Sequence, residues 1–481
     1  MSDFFQAATR RQFLHRAGRL SLGAVALESL IASGVAAADS SGKPIAAVTP
    51  PVPAKARSVI YLSMSGGPPQ LDLLDWKPEL KTHHLKDCPE HLLKGEKFAF
   101  IRGRPKLLGT AQTFRQHGRS GAWVSDLLPH FAGIVDDVAI LKSLQTDPFN
   151  HAPAELLLHT GNARHGSPSI GAWVTYGLGS ANEDLPGFVV LQSGGAAPAS
   201  GGSCWGAGFL PGIFQGVPCR ESGDPILAAS NPPGMSRESR RRILDALKKL
   251  NESEARSSGD PETLARVAQY ERAYRMQLTV PEVFDLNRES PETLALYGAQ
   301  PGAATFANHC LLARRLVENG VRFVHLFDSG WDLHGTSPKD DLQTALPRKC
   351  LQIDQACAAL VRDLKQRGLL ESTLVVWGGE FGRTPMNEAR GGSQWFGRDH
   401  HPRAFTLWMA GAGIRRGVSH GATDELGYHV AENPVTVRDL QATLLHLLGL
   451  DARRLSYRHR GVDERLIGPT DDAKIIQGIL S

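Results

Sequence analysis

Cysteine is scarce in this chain: there are six in 481 residues (Cys88, Cys204, Cys219, Cys310, Cys350 and Cys357), and no two of them form a close Cys-x-x-Cys pair. That excludes a zinc ribbon and a thioredoxin-like redox motif. An excess of one charge is also missing. The 53 basic side chains are balanced by 49 acidic ones, and the formal net charge of +4 is too small over this length to be the footprint of a nucleic-acid partner. The amino-terminal apolar run is interrupted by Glu28 and short for a stable membrane span, no second run is long enough to cross a bilayer, and no repeat of solenoid length recurs. What remains is a chain able to bury a large core, as one big α/β domain or as two or three smaller ones.

The amino terminus carries an address. Thr9, Arg10, Arg11, Gln12, Phe13 and Leu14 precede the small-residue and apolar stretch Leu20 to Val35, and Ala36-Ala37-Ala38 follows. This order is that of a twin-arginine export signal with an A-x-A cleavage site, so residues 1–38 are expected to be removed and the mature chain to act in the periplasm or outside the cell. Residues 39–56, rich in Ala, Pro and Ser without periodicity, read as a flexible lead-in. Residues 57–481 would then hold the folded part, with no membrane span after signal cleavage.

Along that part, apolar strands are expected at Ser58 to Met64, Val138 to Lys142, Val321 to Phe327, Thr373 to Trp377 and Phe405 to Ala410. Helical patterns precede several of them: around Leu127 to Ile134, at Phe306 to Glu318 stopped by Asn319-Gly320, and at Leu346 to Arg367 stopped by Gly368. A last helix at Val437 to Leu448 is closed by Gly449. Alternating helices and strands of this kind predict an α/β fold with a mostly parallel sheet. Between about 194 and 300 a loop and helical insertion interrupts it. A Gly/Pro-rich loop runs to about Gly234, followed by two amphipathic helices around Ile243 to Leu250 and Leu264 to Leu278. Cys204 and Cys219 lie in that loop and could pair outside the cytoplasm.

Three short stretches concentrate carboxylates and imidazoles: WDLH (Trp331 to His334), GGEFGRT (Gly378 to Thr384) and GRDHH (Gly397 to His401). The first two follow predicted strands, and in open α/β sheets ligands collect at the carboxyl ends of the strands. Asp332 and His334 can converge on one ion if the backbone curls; Glu380 supplies a carboxylate from a neighbouring strand end, and Asp399, His400 and His401 offer further ligands. Mixed oxygen and nitrogen donors suit zinc, manganese or iron, and an all-oxygen subset suits calcium or magnesium. Arg383 either holds Glu380 or binds an anionic substrate.

The Gly-Gly-Pro turn with Asp72, NHAPAELLLHTG (Asn150 to Gly161), WDLH, GGEFGRT, GRDHH, GATDE (Gly421 to Glu425) and DLQATLLHLLGLD (Asp439 to Asp451) together resemble a twin-arginine-exported family of planctomycete-type bacteria. That family has no established function and belongs to the alkaline phosphatase and sulfatase superfamily. The resemblance implies a three-layer α/β/α sandwich of the alkaline-phosphatase kind, holding divalent metal beside a nucleophile that attacks phosphate or sulfate esters, on polysaccharides among other carriers. It also implies that Asp332, His334 and His401 or His400 hold one metal, while Asp72 and Glu380 stand where a second metal's carboxylates lie. His151 occupies the nucleophile's place, where no Cys, Ser or Thr is present, and could be a nucleophile, a ligand, a general acid, or a hydrogen-bonded histidine at a helix start. Asn150 could position an ester oxygen or cap that helix. A non-catalytic binding protein that retains a remnant site is the alternative reading.

Overall fold

The computed structural model describes residues 49–95, 98–182, 184–219, 236–258, 280–470 and 472–481. The segment 1–38 expected to direct export, most of the expected lead-in 39–56 and the helix expected at Leu264 to Leu278 lie outside them.

Among the described residues, nine strands make the central sheet: β1 Ser58–Met64, β2 Val138–Gln145, β3 Phe188–Ser193, β4 Val217–Pro218, β5 Phe323–Asp328, β6 Thr373–Gly378, β7 Phe405–Ala410, β8 Val418–His420 and β9 Val435–Thr436. Their order is β8-β2-β7-β6-β1-β5-β3-β4, with β9 also pairing along β2. Only β7 is antiparallel to its neighbours β2 and β6; every other pairing is parallel. The reason lies in the connection. Between β6 and β7 the chain makes no crossover helix. It wanders across the end of the sheet and re-enters from that end, which obliges β7 to run the other way.

β1, β5, β6 and β7 are buried along their whole length, because helices cover both faces. Period-2 alternation divides each strand's side chains between the two faces. Ile60, Leu62, Val324, Leu326, Val375 and Trp377 pack with helices α3 (Phe306–Glu318) and α4 (Ala345–Gln366). Val59, Tyr61, Phe323, Phe327, Leu374 and Val376 pack with α1 (His151–Thr160), α2 (Ile170–Leu178) and α5 (Val437–Leu447). The fold is thus α/β in three layers, with a mixed, mostly parallel sheet.

Three expectations shift. The helical pattern near Leu127 is a 3-10 helix at Phe131–Asp137, and β5 begins two residues later than its apolar run, at Phe323. Cys204 and Cys219 are free thiols. Cys204 packs in the core on the α1 face and Cys219 against the core on the α3 face, so the sheet separates them. No helix among the described residues is long and apolar enough to cross a membrane.

Candidate metal centre

The carboxyl ends of β1, β2, β5 and β6 and the amino end of the reversed β7 all lie at one end of the sheet, and the segments that carry the polar motifs leave or enter there. Two turns meet first. β1 runs into Ser65-Gly66-Gly67, and Gly66 has φ +117 with its would-be Cβ 2.5 Å from the Asp332 nitrogen. Only glycine allows that approach. The turn after β5 is tied down by Trp331, whose ring N–H donates to the buried Asp328 carboxylate at 3.0 Å. Asp328 in turn accepts from Ser193 Oγ at 2.5 Å and pairs with Lys349 Nζ at 2.6 Å. Asp332 and His334 are therefore presented from a braced turn.

Three imidazoles close on one carboxylate oxygen. His334 Nε2 is 2.8 Å from Asp332 Oδ1, His151 Nε2 is 3.1 Å away and His400 Nε2 is 3.3 Å away. These four residues form a group whose ligand atoms all lie within 4.8 Å of one another. His151 comes from the first turn of α1, and His400 from a two-residue strand paired with Gly382–Arg383.

The far sides of the rings decide their protonation. His400 Nδ1 is 2.7 Å from the Phe149 carbonyl, which can only accept, so Nδ1 carries the hydrogen. His151 Nδ1 donates to Glu380 Oε1 at 2.6 Å, and His334 Nδ1 donates to Glu388 Oε2. With every Nδ1–H directed outward, the neutral rings aim three Nε2 lone pairs and an anionic oxygen at one point. Such a group of acceptors could hold a metal ion, and an outer carboxylate or carbonyl on each ring is how metal-binding histidines are oriented.

Without a cation, protons take its place. Burial lowers the pKa of His151, but the Asp332 and Glu380 carboxylates outweigh it and raise it to about 9. Burial would raise the pKa of Asp332, yet the three imidazoles and Arg383 hold it well below the carboxylate range. His400, where burial prevails, is lowered to about 4. Three nitrogens and one oxygen suit zinc and also iron or manganese. Phe100 stands edge-on to His334 and His400, at ring distances of 5.1 and 5.4 Å. Phe381 lies against His151 and His400, at 4.9 and 4.6 Å. These rings form an apolar wall, while the Asp332 side chain remains 44% exposed, so the cluster opens to solvent on that side.

Other residues expected at the site have different positions. Glu380 is buried, accepts from the Gly66 N–H at 3.0 Å, and orients His151. Arg383 is wholly buried, and its guanidinium donates to the carbonyls of Gly66, Gly67 and Arg398 as well as to Asp332; it is a buried strut that presents no edge to solvent. Asp399 accepts from the Phe100, Ile101 and His400 amides and so seats Phe100 against the rings. His401 faces away, its Nε2 2.5 Å from the Tyr428 carbonyl. Asp72 lies apart from the cluster in a bidentate pair with Arg398, at 2.7 and 3.2 Å. Asn150 stands at the N-cap of α1, where its exposed side chain makes no cap hydrogen bond. Glu388, Phe100 and Arg390 complete the surroundings, and nothing in their spacing announces them. His334, Glu388 and Asp399 form a second close acidic group, but Asp399 is taken by three amides and Glu388 by His334 and Arg390, so this group supports His334.

A family model described as a protein of unknown function, DUF1501, matches residues 56–480. The chain belongs to the DUF1501 family. No relative among curated proteins matches this DUF1501 chain in sequence. Among solved structures it is similar to a phosphonate monoester hydrolase from Silicibacter pomeroyi, with TM-score 0.37 and 13% identity over 88% of this chain and 76% of that one. It is similar as well to the PsFucS1 sulfatase of Pseudoalteromonas sp., with TM-score 0.34 and 12% identity over 88% and 73%. For an alkaline phosphatase of the Antarctic bacterium TAB5 the TM-score is 0.31, with 8% identity over 76% and 94%. Likeness at this level carries no chemistry to the DUF1501 chain.

Proposed function

We propose that this protein is an exported, metal-dependent hydrolase of anionic esters of the phosphate or sulfate class. The observation that supports it best is the convergence of the His151, His334 and His400 Nε2 atoms on Asp332 Oδ1, with each ring's Nδ1 held by an outer acceptor. The motif resemblance to the alkaline phosphatase and sulfatase superfamily suggests the ester class, and Thr9 to Leu14 suggests twin-arginine export to the periplasm or beyond. Sulfated or phosphorylated polysaccharides are natural carriers of such esters in that compartment.

When bound, the divalent cation would neutralise ester charge and lower the pKa of a water molecule. The remaining work falls to the chain. Glu380 and Glu388 fix the tautomers of His151 and His334, Asp399 seats Phe100, and Phe100 with Phe381 keeps water from one side of the cluster. His151 is committed to the cluster from the position where a protein nucleophile would stand, so in this reading water attacks the ester and no covalent enzyme intermediate forms.

The test uses the full mature chain, with metal content measured and turnover assayed on aryl sulfates, phosphate monoesters and phosphodiesters. Metal-dependent turnover that Asp332→Ala abolishes is expected. A protein that holds its metal and turns over none of these would instead be a non-catalytic binding protein, the reading favoured by the histidine in the nucleophile's place.

A further inference from the structure

Two of the arginines around the cluster are spent. Arg383 is wholly buried, and three carbonyls and Asp332 accept from its guanidinium. Arg398 is also buried, taken by Asp72 and the Thr384 carbonyl. Arg390 differs. Its side chain is 36% exposed, and its guanidinium carbon lies 3.8 Å from the centre of the Phe100 ring, the ring that stands edge-on to His334 and His400. Its Nε donates to Glu388. Its NH2 group lies 3.1 Å from His334 Nδ1, but that nitrogen already gives its hydrogen to Glu388 and cannot accept one. The NH2 hydrogens therefore have no acceptor in His334, whose Nε2 lies across the ring at the cluster.

The backbone is shaped to deliver this side chain. Ala389 has φ +46, and Gly391 and Gly392 have φ +63 and +76, so three residues around Arg390 adopt the left-handed region. No packing demands these glycines, since a Cβ at either would meet nothing within 4 Å. A non-glycine residue held in that region marks strain of the kind found at functional sites. A planar guanidinium stacked on an aromatic face and open at one edge matches the geometry of phosphate and sulfate oxygens.

We propose that Arg390, on its Phe100 platform, is the anion-recognising residue of this site, donating its free N–H edge to phosphate or sulfate oxygens of the substrate. This rests on the reading of the site as a metal centre for anionic esters, and it makes Arg390 a specificity determinant that holds no metal.

The test titrates inorganic phosphate, and separately inorganic sulfate, into the metal-loaded full chain by calorimetry, with metal content measured for each protein. Arg390→Ala and Arg390→Gln are expected to keep the metal and weaken anion binding at least tenfold, with Arg390→Lys in between because it restores charge without the fork. Unchanged anion affinity in Arg390→Ala would overturn the proposal. So would loss of metal in both Arg390→Lys and Arg390→Gln, which would make Arg390 a support for His334. Failure of turnover alone bears on the hydrolase reading and leaves this titration readable.

Discussion

Glu380 and His151 lie 229 residues apart in the chain, yet the Glu380 carboxylate accepts the His151 Nδ1–H at 2.6 Å while its own position is fixed by the Gly66 amide. This contact turns the ring so that Nε2 faces Asp332. It joins the ends of three strands, because Gly66 follows β1, His151 follows β2 and Glu380 follows β6.

Glu380→Gln keeps the shape and a hydrogen-bond acceptor but loses the charge that polarises His151. Outer carboxylates of this kind typically alter metal affinity by about 10–100-fold. Competition against a chromogenic chelator should show weakening in that range at wild-type stoichiometry. Affinity equal to wild type would show that Glu380 is a packing residue.

Gly66→Ala places a methyl group 2.5 Å from the Asp332 nitrogen and 2.8 Å from the Trp331 carbonyl carbon, at φ +117. Neither backbone can yield without moving the WDLH turn. The cost should be about 2 kcal/mol or more, read as a lower denaturation midpoint with unchanged m, together with weaker metal binding. A variant as stable as wild type with full metal binding would mean that the two turns are not packed as described.

Beneath the site, on the α1 face of the sheet, His159 is fully buried with its Nε2 3.4 Å from Ser63 Oγ, and Ser63 Oγ is 2.7 Å from His325 Nε2. Burial lowers the His159 pKa to about 3, against about 6.5 in an unfolded chain. Between those pH values the unfolded chain binds a proton that the folded chain refuses, so stability rises with pH in this window. Exclusion of the His159 proton costs the fold nothing above pH about 6.5 and destabilises it increasingly as pH falls toward 3. His159→Gln should have a lower stability overall and a shallower acid slope in urea titrations between these limits. An unchanged slope would show that His159 is protonated in the folded protein.

The sheet was legible because its central strands are covered on both faces and therefore appear as unbroken apolar runs ending in glycine or a polar turn. Legible too was the neighbourhood of the site, since a strand's carboxyl end in such a sheet is where ligands gather, and Asp332, His334, His400 and His151 are all brought there. What the letters leave open is direction. His400 and His401 are adjacent on a two-residue strand, and alternation sends one ring to the cluster and its neighbour to Tyr428. Asp72 and Arg383 depend likewise on partners made by folding: Arg398 claims the first, and three backbone carbonyls claim the second. Glu388, Phe100 and Arg390 reach the rings from loops whose course no local periodicity dictates, so their roles become visible only in three dimensions.

Metal stoichiometry of the full chain, measured by elemental mass spectrometry with X-ray absorption of the bound ion, tests the central claim most directly. The arrangement of His151, His334, His400 and Asp332 predicts one divalent ion per such site in a shell of three nitrogens and one protein oxygen, lost in Asp332→Ala and His334→Ala. Retention of the ion in both variants, or wild-type protein that binds none when supplied with zinc, iron or manganese, would contradict it.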